Sequence, residues 1–397
     1  HVHFQIITDL LGLGCNYPGV ALASRRAEFL SRSPDPNLML RLPVESYPAP
    51  EPIKIVRGWR QYLYDSTGQA FLDLNAETAL VGHSHPRVVE AVSRQLALLN
   101  TGTSLSHEYT ERLLSKFPAA LSKCYLVNSA SEAMELAVRL ARAHVRGKDA
   151  IVLEGADHGM TTTLINMSPL RFDGPGGAGR KHWVHVASRS DGREATGIVD
   201  AIESSGRGLA ALVSDGLLPA GYLAQAYPRV RAAGGVCIAS EVRTGFGRVG
   251  EAFWGFALHG VVPDIVVLGE SMGNGFPLAG VVTTPEIAAS FDNGMIFHSA
   301  TGGNPVACAA GLAVLDILDD EQLPANAQQV GAKMLREIGG LQGAGLCLEA
   351  RMENNRLREH GILAATRGDV VLIQPPLVFT EADADYFAQV LKESSET

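Results

Sequence analysis

Short apolar runs alternate with amphipathic stretches from about Ser122 to Thr283. YLVN precedes SEAMELAVRLARAHV, IVLE follows, ALVS precedes YLAQAYPRVRAAG, and VCIAS, DIVVLG and LAGVVTT come after. Apolar runs bounded by turn residues predict strands covered on both faces, and the helical spacing between them predicts flanking helices. This is the pattern of an α/β protein built on a mostly parallel sheet. Upstream, IKIVRGWRQYLYDSTGQAFLDL reads as two alternating strands joined through the turn-forming cluster Asp65-Ser66-Thr67-Gly68. From about Leu323 the order is helix (NAQQVGAKMLREIGGL), strand (LCLEA), helix, strand (VVLIQ) and a closing helix after Thr380. The two flanks predict a small α+β domain formed by both ends of the chain. The expected division is a lead segment over 1–51, the first part of the small domain over 52–110, a large domain over 111–322 and the rest of the small domain over 323–397. GPGGAG at 174–179 reads as a connecting loop.

Composition narrows the function classes. The 397 residues are 46% hydrophobic and 19% charged, enough for a large buried core. A net charge of -9 gives no basic footprint, so a nucleic-acid partner is not expected. No apolar stretch reaches membrane-helix length, and His1 to Gln5 lack the charged start of a signal peptide, which predicts a cytoplasmic protein with no membrane contact. Five cysteines without a close CxxC pair predict core packing and no metal site.

In an open parallel sheet ligands bind beyond the carboxyl ends of the strands. Three acidic positions fall there: Asp157 with His158 after IVLEG, Ser240 with Glu241 after VCIA, and Glu270 after VVLG. Each alone reads as a solvated loop residue, but three at strand ends predict a shared polar cleft. Asn128-Ser129-Ala130-Ser131 opens a helix whose free N–H groups and dipole can receive an anion. Ser131 reads either as a ligand contact or as the N-cap of that helix.

QYLYDSTGQAFLDL, VGHSHPRVVEAV, NSASEAMELAVRLAR, EVRTGFGRVG, GNGFPLAG, TGGNPVACAAGLAVLD and QPPLVFT occur in this order. From about Pro52 to near the C-terminus the chain resembles the class III aminotransferases of pyridoxal-phosphate fold type I, particularly the phosphoethanolamine-lyase-like branch. The resemblance implies a large domain with a seven-stranded sheet, a small domain, a dimer-contact region within 52–110, and a homodimer whose GGNP segment reaches the neighbouring site. It also implies four residues that make the cofactor reactive, and each is replaced here. Glu270 stands at the lysine position, Ser240 at the aspartate, Asp157 at the stacking tyrosine and Ala300 at the phosphate-binding threonine before Thr301. Ala130 replaces a glycine and Met134 an asparagine in the phosphate cup, Gln374 replaces an arginine, and Arg243 stands at a usual glutamine.

Ser240 lacks the charge that keeps a pyridine nitrogen protonated, and Glu270 has no amine for an imine. These departures predict a lysine-less, cofactor-independent enzyme that runs acid/base chemistry (isomerisation, dehydration, cyclisation or hydrolysis) on a small, amine-bearing metabolite. Glu270 and Asp157 would be its couple, with His158 or Glu241 in support, because crowded carboxylates do not ionise together. Ser131, Ala130, Ser240, Arg243, Ala300, Thr301 and Gln374 would contact the ligand. One alternative is a catalytically dead subunit that binds a ligand or pairs with a lysine-bearing paralogue in a heterodimer. The other retains pyridoxal phosphate or pyridoxamine phosphate noncovalently.

Overall fold

The computed structural model describes residues 53–189, 196–206, 208–294, 297–351, 357–367 and 370–395. The lead segment expected over 1–51 lies outside the described residues.

The central sheet has seven strands: β4 (Lys123–Val127), β5 (Asp149–Leu153), β6 (Val184–Ala187), β7 (Leu209–Asp215), β8 (Val236–Ser240), β9 (Ile265–Leu268) and β10 (Ala279–Thr283), with β1–β3 preceding them in the chain. Their order is β4-β10-β9-β8-β7-β5-β6. All neighbours are parallel except β10, which runs antiparallel to both β4 and β9. Along β5 the side chains divide by parity. Ala150 and Val152 pack in one core cluster with the helix Ala130–Val145, whereas Ile151 and Leu153 pack in another with the helix Tyr222–Ala232. Both faces are therefore covered, which is why these strands read as continuous apolar runs. β6, in KHWVHVAS, escapes the sequence pattern because His185 interrupts its apolar run.

The amino-terminal flank contains three strands where two were expected: β1 (Ile55–Trp59), β2 (Tyr62–Asp65) and β3 (Ala70–Asp73). Arg60 adopts a left-handed φ of 53° and turns the first stretch back on itself, so that β1 pairs antiparallel with β2. β3 then pairs in parallel with β13 (Ile362–Leu363), placing segments from both flanks in one sheet. β11 (Gln342–Ala344), β12 (Cys347–Arg351), β14 (Ala365–Arg367) and β15 (Val370–Ile373) form a third sheet. The helix expected between LCLEA and VVLIQ is a short 3-10 turn, Leu357–His360, followed by β13 and β14. Arg248 is 1% exposed and ties the first and last parts of the chain together. It donates to the carbonyls of Pro375 at 2.6 Å, Leu346 at 3.3 Å and Ala76 at 3.3 Å.

Candidate active site

A cavity of about 270 Å³ opens beyond the carboxyl ends of β7, β8 and β9, against the amino end of the helix Ala130–Val145. Its lining brings together Ala130, Ser131, Asp157, His158, Ser240, Arg243 and Glu270, all singled out from the sequence.

The helix sets one wall. Its N-cap is Ser129, whose side chain accepts the Glu132 N–H at 3.2 Å, so the capping role considered for Ser131 falls two residues earlier. Ser131 is left to accept the Met160 N–H at 3.1 Å. Gly159 must be glycine for this approach: its φ is +122°, and a Cβ would come within 2.5 Å of Ser131 Oγ. Ala130 donates its backbone N–H to Glu270 Oε1 at 2.9 Å. An anion thus occupies the positive end of the helix, and it is the chain's own carboxylate.

The other acids each have their own cation, not a shared proton. Asp157 Oδ2 receives Arg171 Nη2 at 2.8 Å and Nε at 3.0 Å. Asp215 Oδ1 receives Arg189 Nη2 at 2.6 Å. Glu77 Oε1 stands 3.3 Å from Arg243 Nε. The expected crowding of unpaired carboxylates is therefore not what the cleft contains. Asp215 and Glu77 were missed in the sequence. Asp215 ends β7 and obeys the same strand-end rule, whereas Glu77 is brought in from a distant segment and carries no local signal.

Glu241 lies outside the lining, contrary to its expected supporting role. It is 2% exposed and accepts from Thr244 Oγ1 at 2.7 Å, Gly255 N at 2.7 Å and Phe256 N at 2.8 Å. Burial pushes its carboxyl above the usual value against these three donors. Gln374, fully buried, is not part of the lining and sits behind Arg243, accepting its Nε at 3.3 Å and donating to Cys347 Sγ at 3.3 Å. Ala300 and Thr301 are exposed and outside the lining, on a loop anchored by Thr301 Oγ1 to Asn128 Oδ1 at 2.8 Å. His158 is buried, and its N–H is tied to Ser168 Oγ at 2.9 Å.

A phosphate-bearing pyridoxal group partly fits these residues. The amino end of the helix, the Ser131 hydroxyl and the apolar Val242 and Val267 supply a cradle, and Glu270 itself shows that an anion is received there. An imine bond does not fit, because lysine is absent from the described lining.

The chain matches the family described as Aminotransferase class-III over residues 45–169 and 216–394. It is 37% identical over 406 residues to alanine–glyoxylate aminotransferase 2-like of Drosophila melanogaster, covering 86% of this chain and 82% of the relative. It is 35% identical over 402 residues to ethanolamine-phosphate phospho-lyase homolog 1 of Caenorhabditis elegans, covering 83% and 86%. Among solved structures, a phospholyase from Arthrobacter in complex with phosphoethanolamine superposes with a TM-score of 0.82 at 32% identity, covering 91% of this chain and 99% of that one. An amine transaminase from an uncultivated Pseudomonas species in the PLP-bound form shares the fold with a TM-score of 0.79 at 24% identity, covering 88% and 96%.

These relatives correct the sequence expectation. They are aminotransferases and phospho-lyases, and the reading of a lysine-less, cofactor-independent acid/base enzyme, with no cofactor, is overturned by them. No helix among the described residues is long and apolar enough to cross a membrane. The related human alanine–glyoxylate aminotransferase 2 is mitochondrial. On the extent of the profile match and the identity to its relatives, this chain belongs to the class III aminotransferase family.

Proposed function

We propose that the cleft binds an amine-bearing small metabolite together with pyridoxal or pyridoxamine phosphate, the cofactor held by noncovalent contacts alone. The relatives support the class of chemistry, and two of them point to phosphoethanolamine as the substrate to try first. The observation that carries the reading is the Ala130 N–H bond to Glu270: the amino end of the helix is an anion cradle that opens into the cleft. Bound in such a cleft, the cofactor supplies a carbonyl or amine for nitrogen exchange and a ring that withdraws electrons.

The chain's own groups divide the remaining work. The Ala130 N–H and the Ser131 hydroxyl would hold the phosphate, and Glu270, on yielding that N–H, would be a counter-ion for the substrate ammonium. Arg243 supplies positive charge for the substrate's anionic end. Arg171 pairs with Asp157 and Arg189 with Asp215, which fixes those side chains at the cleft wall. Ser240 offers a hydroxyl where a carboxylate would strengthen electron withdrawal, which predicts slow turnover.

Titration of the purified chain with pyridoxal phosphate, followed by dialysis, tests this reading. Saturable binding that dialyses away is the expected result. Absence of saturable binding into the millimolar range contradicts it. The homodimer is also proposed here, supported by the exposed Val89, Leu96 and Leu98 along the helix Pro86–Leu98.

A further inference from the structure

A second cavity, of about 450 Å³, lies at the amino ends of β5 and β6, whereas the cleft opens beyond the carboxyl ends of the sheet. Arg142, Arg146, Lys148, Asn166 and Trp183 are among its lining residues. The Arg142 guanidinium lies 4.6 Å from the centroid of the Trp183 ring, and its Nη2 donates to the Lys148 carbonyl at 3.0 Å. The group is thus stacked on one side and clamped on another. Its buried Nε–H has no acceptor among the described residues, a deficit that an oxygen ligand would relieve.

The turn beside it is fixed in an unfavourable form. Arg146 ends the helix Ala130–Val145 with a left-handed φ of 57°, where glycine is the usual residue. Gly147 admits no side chain, since a Cβ would lie 2.5 Å from the Leu209 carbonyl oxygen. Two cations are therefore carried on a turn whose backbone is pinned against β7. The carboxylates that act on Arg142 are Glu135 and Asp149. Glu135 accepts from the hydroxyls of Thr161 and Thr163, and Asp149 Oδ2 pairs with His185 Nε2 at 3.0 Å, while Asp149 Oδ1 is buried without a hydrogen-bond partner among the described residues.

We propose that this cavity is a binding site for a phosphate-bearing small molecule, with Arg142, Arg146 and Lys148 holding the oxyanion and the Asn166 amide completing the donor set. The site stands apart from the cleft and does not depend on its function.

Pyrophosphate serves as the probe, with tryptophan fluorescence of the full chain and calorimetry as readouts. A saturable fluorescence change that weakens with added salt is expected. Arg142→Gln weakens binding about tenfold and Arg146→Gln, at an exposed position, about threefold. Trp183→Phe removes the optical response while calorimetric binding persists. Arg243→Gln, in the cleft, leaves the titration unchanged. The inference is overturned by any of three outcomes: no saturable change into the millimolar range, an optical response that survives Trp183→Phe, or a titration lost in Arg243→Gln. If Arg142→Gln fails to fold, unchanged affinity in Arg146→Gln also overturns it.

Discussion

Glu270 has a definite physical place in the structure. Its carboxylate occupies the positive end of the helix Ala130–Val145 by accepting the Ala130 N–H. A phosphate entering the cleft must compete with it for the same donor and the same dipole. Replacing Glu270 with Gln keeps the shape and removes the competing charge, so pyridoxal phosphate should bind about tenfold tighter, or ~1.4 kcal/mol. A fluorescence titration of both proteins checks this; weaker binding by Glu270→Gln would contradict the account. The strand-end rule made Glu270, Asp157 and Ser240 legible in advance because those positions depend only on where apolar runs stop. Their pairing was not legible, since Arg171 reaches Asp157 from the short helix Pro169–Phe172 and Arg189 reaches Asp215 from the segment after β6, and no local pattern encodes where either comes to rest.

At the scale of elements, neighbouring residues take opposite roles. Ser240 lines the cleft, whereas Glu241 turns into the core to hold the short helix Gly255–His259 by its first N–H groups. The alternation of side chains along a strand accounts for the split, and the sequence reading erred by treating the pair as one unit. Because burial raises the folded-state pKa of Glu241, its contribution to stability is fully present below the unfolded value near 4.5 and is lost as pH rises through the raised folded value. Urea midpoints of the wild type and Glu241→Gln, compared from acidic to neutral pH, should show the wild type's advantage shrinking as pH rises. An advantage that grows with pH would refute the assignment. Elements with strong periodicity, such as the Ala130–Val145 helix, were readable from spacing alone. The break at Arg60 was not, because it depends on a left-handed backbone that arginine rarely adopts.

For the whole molecule, the common direction of the parallel strands places the cleft beyond the carboxyl ends of β7, β8 and β9 and the basic cavity at the amino ends of β5 and β6. The exposed apolar residues of the helix Pro86–Leu98 are consistent with a chain that buries them against a second copy. Sedimentation equilibrium should therefore give twice the chain mass at micromolar concentration, and a monomer there would exclude the proposed homodimer. The most direct test of noncovalent cofactor binding is intact mass after borohydride treatment in the presence of pyridoxal phosphate, run on the wild type beside Glu270→Lys. The account predicts an unmodified mass for the wild type and a single trapped adduct for Glu270→Lys. A trapped adduct at a cleft residue of the wild type would contradict it.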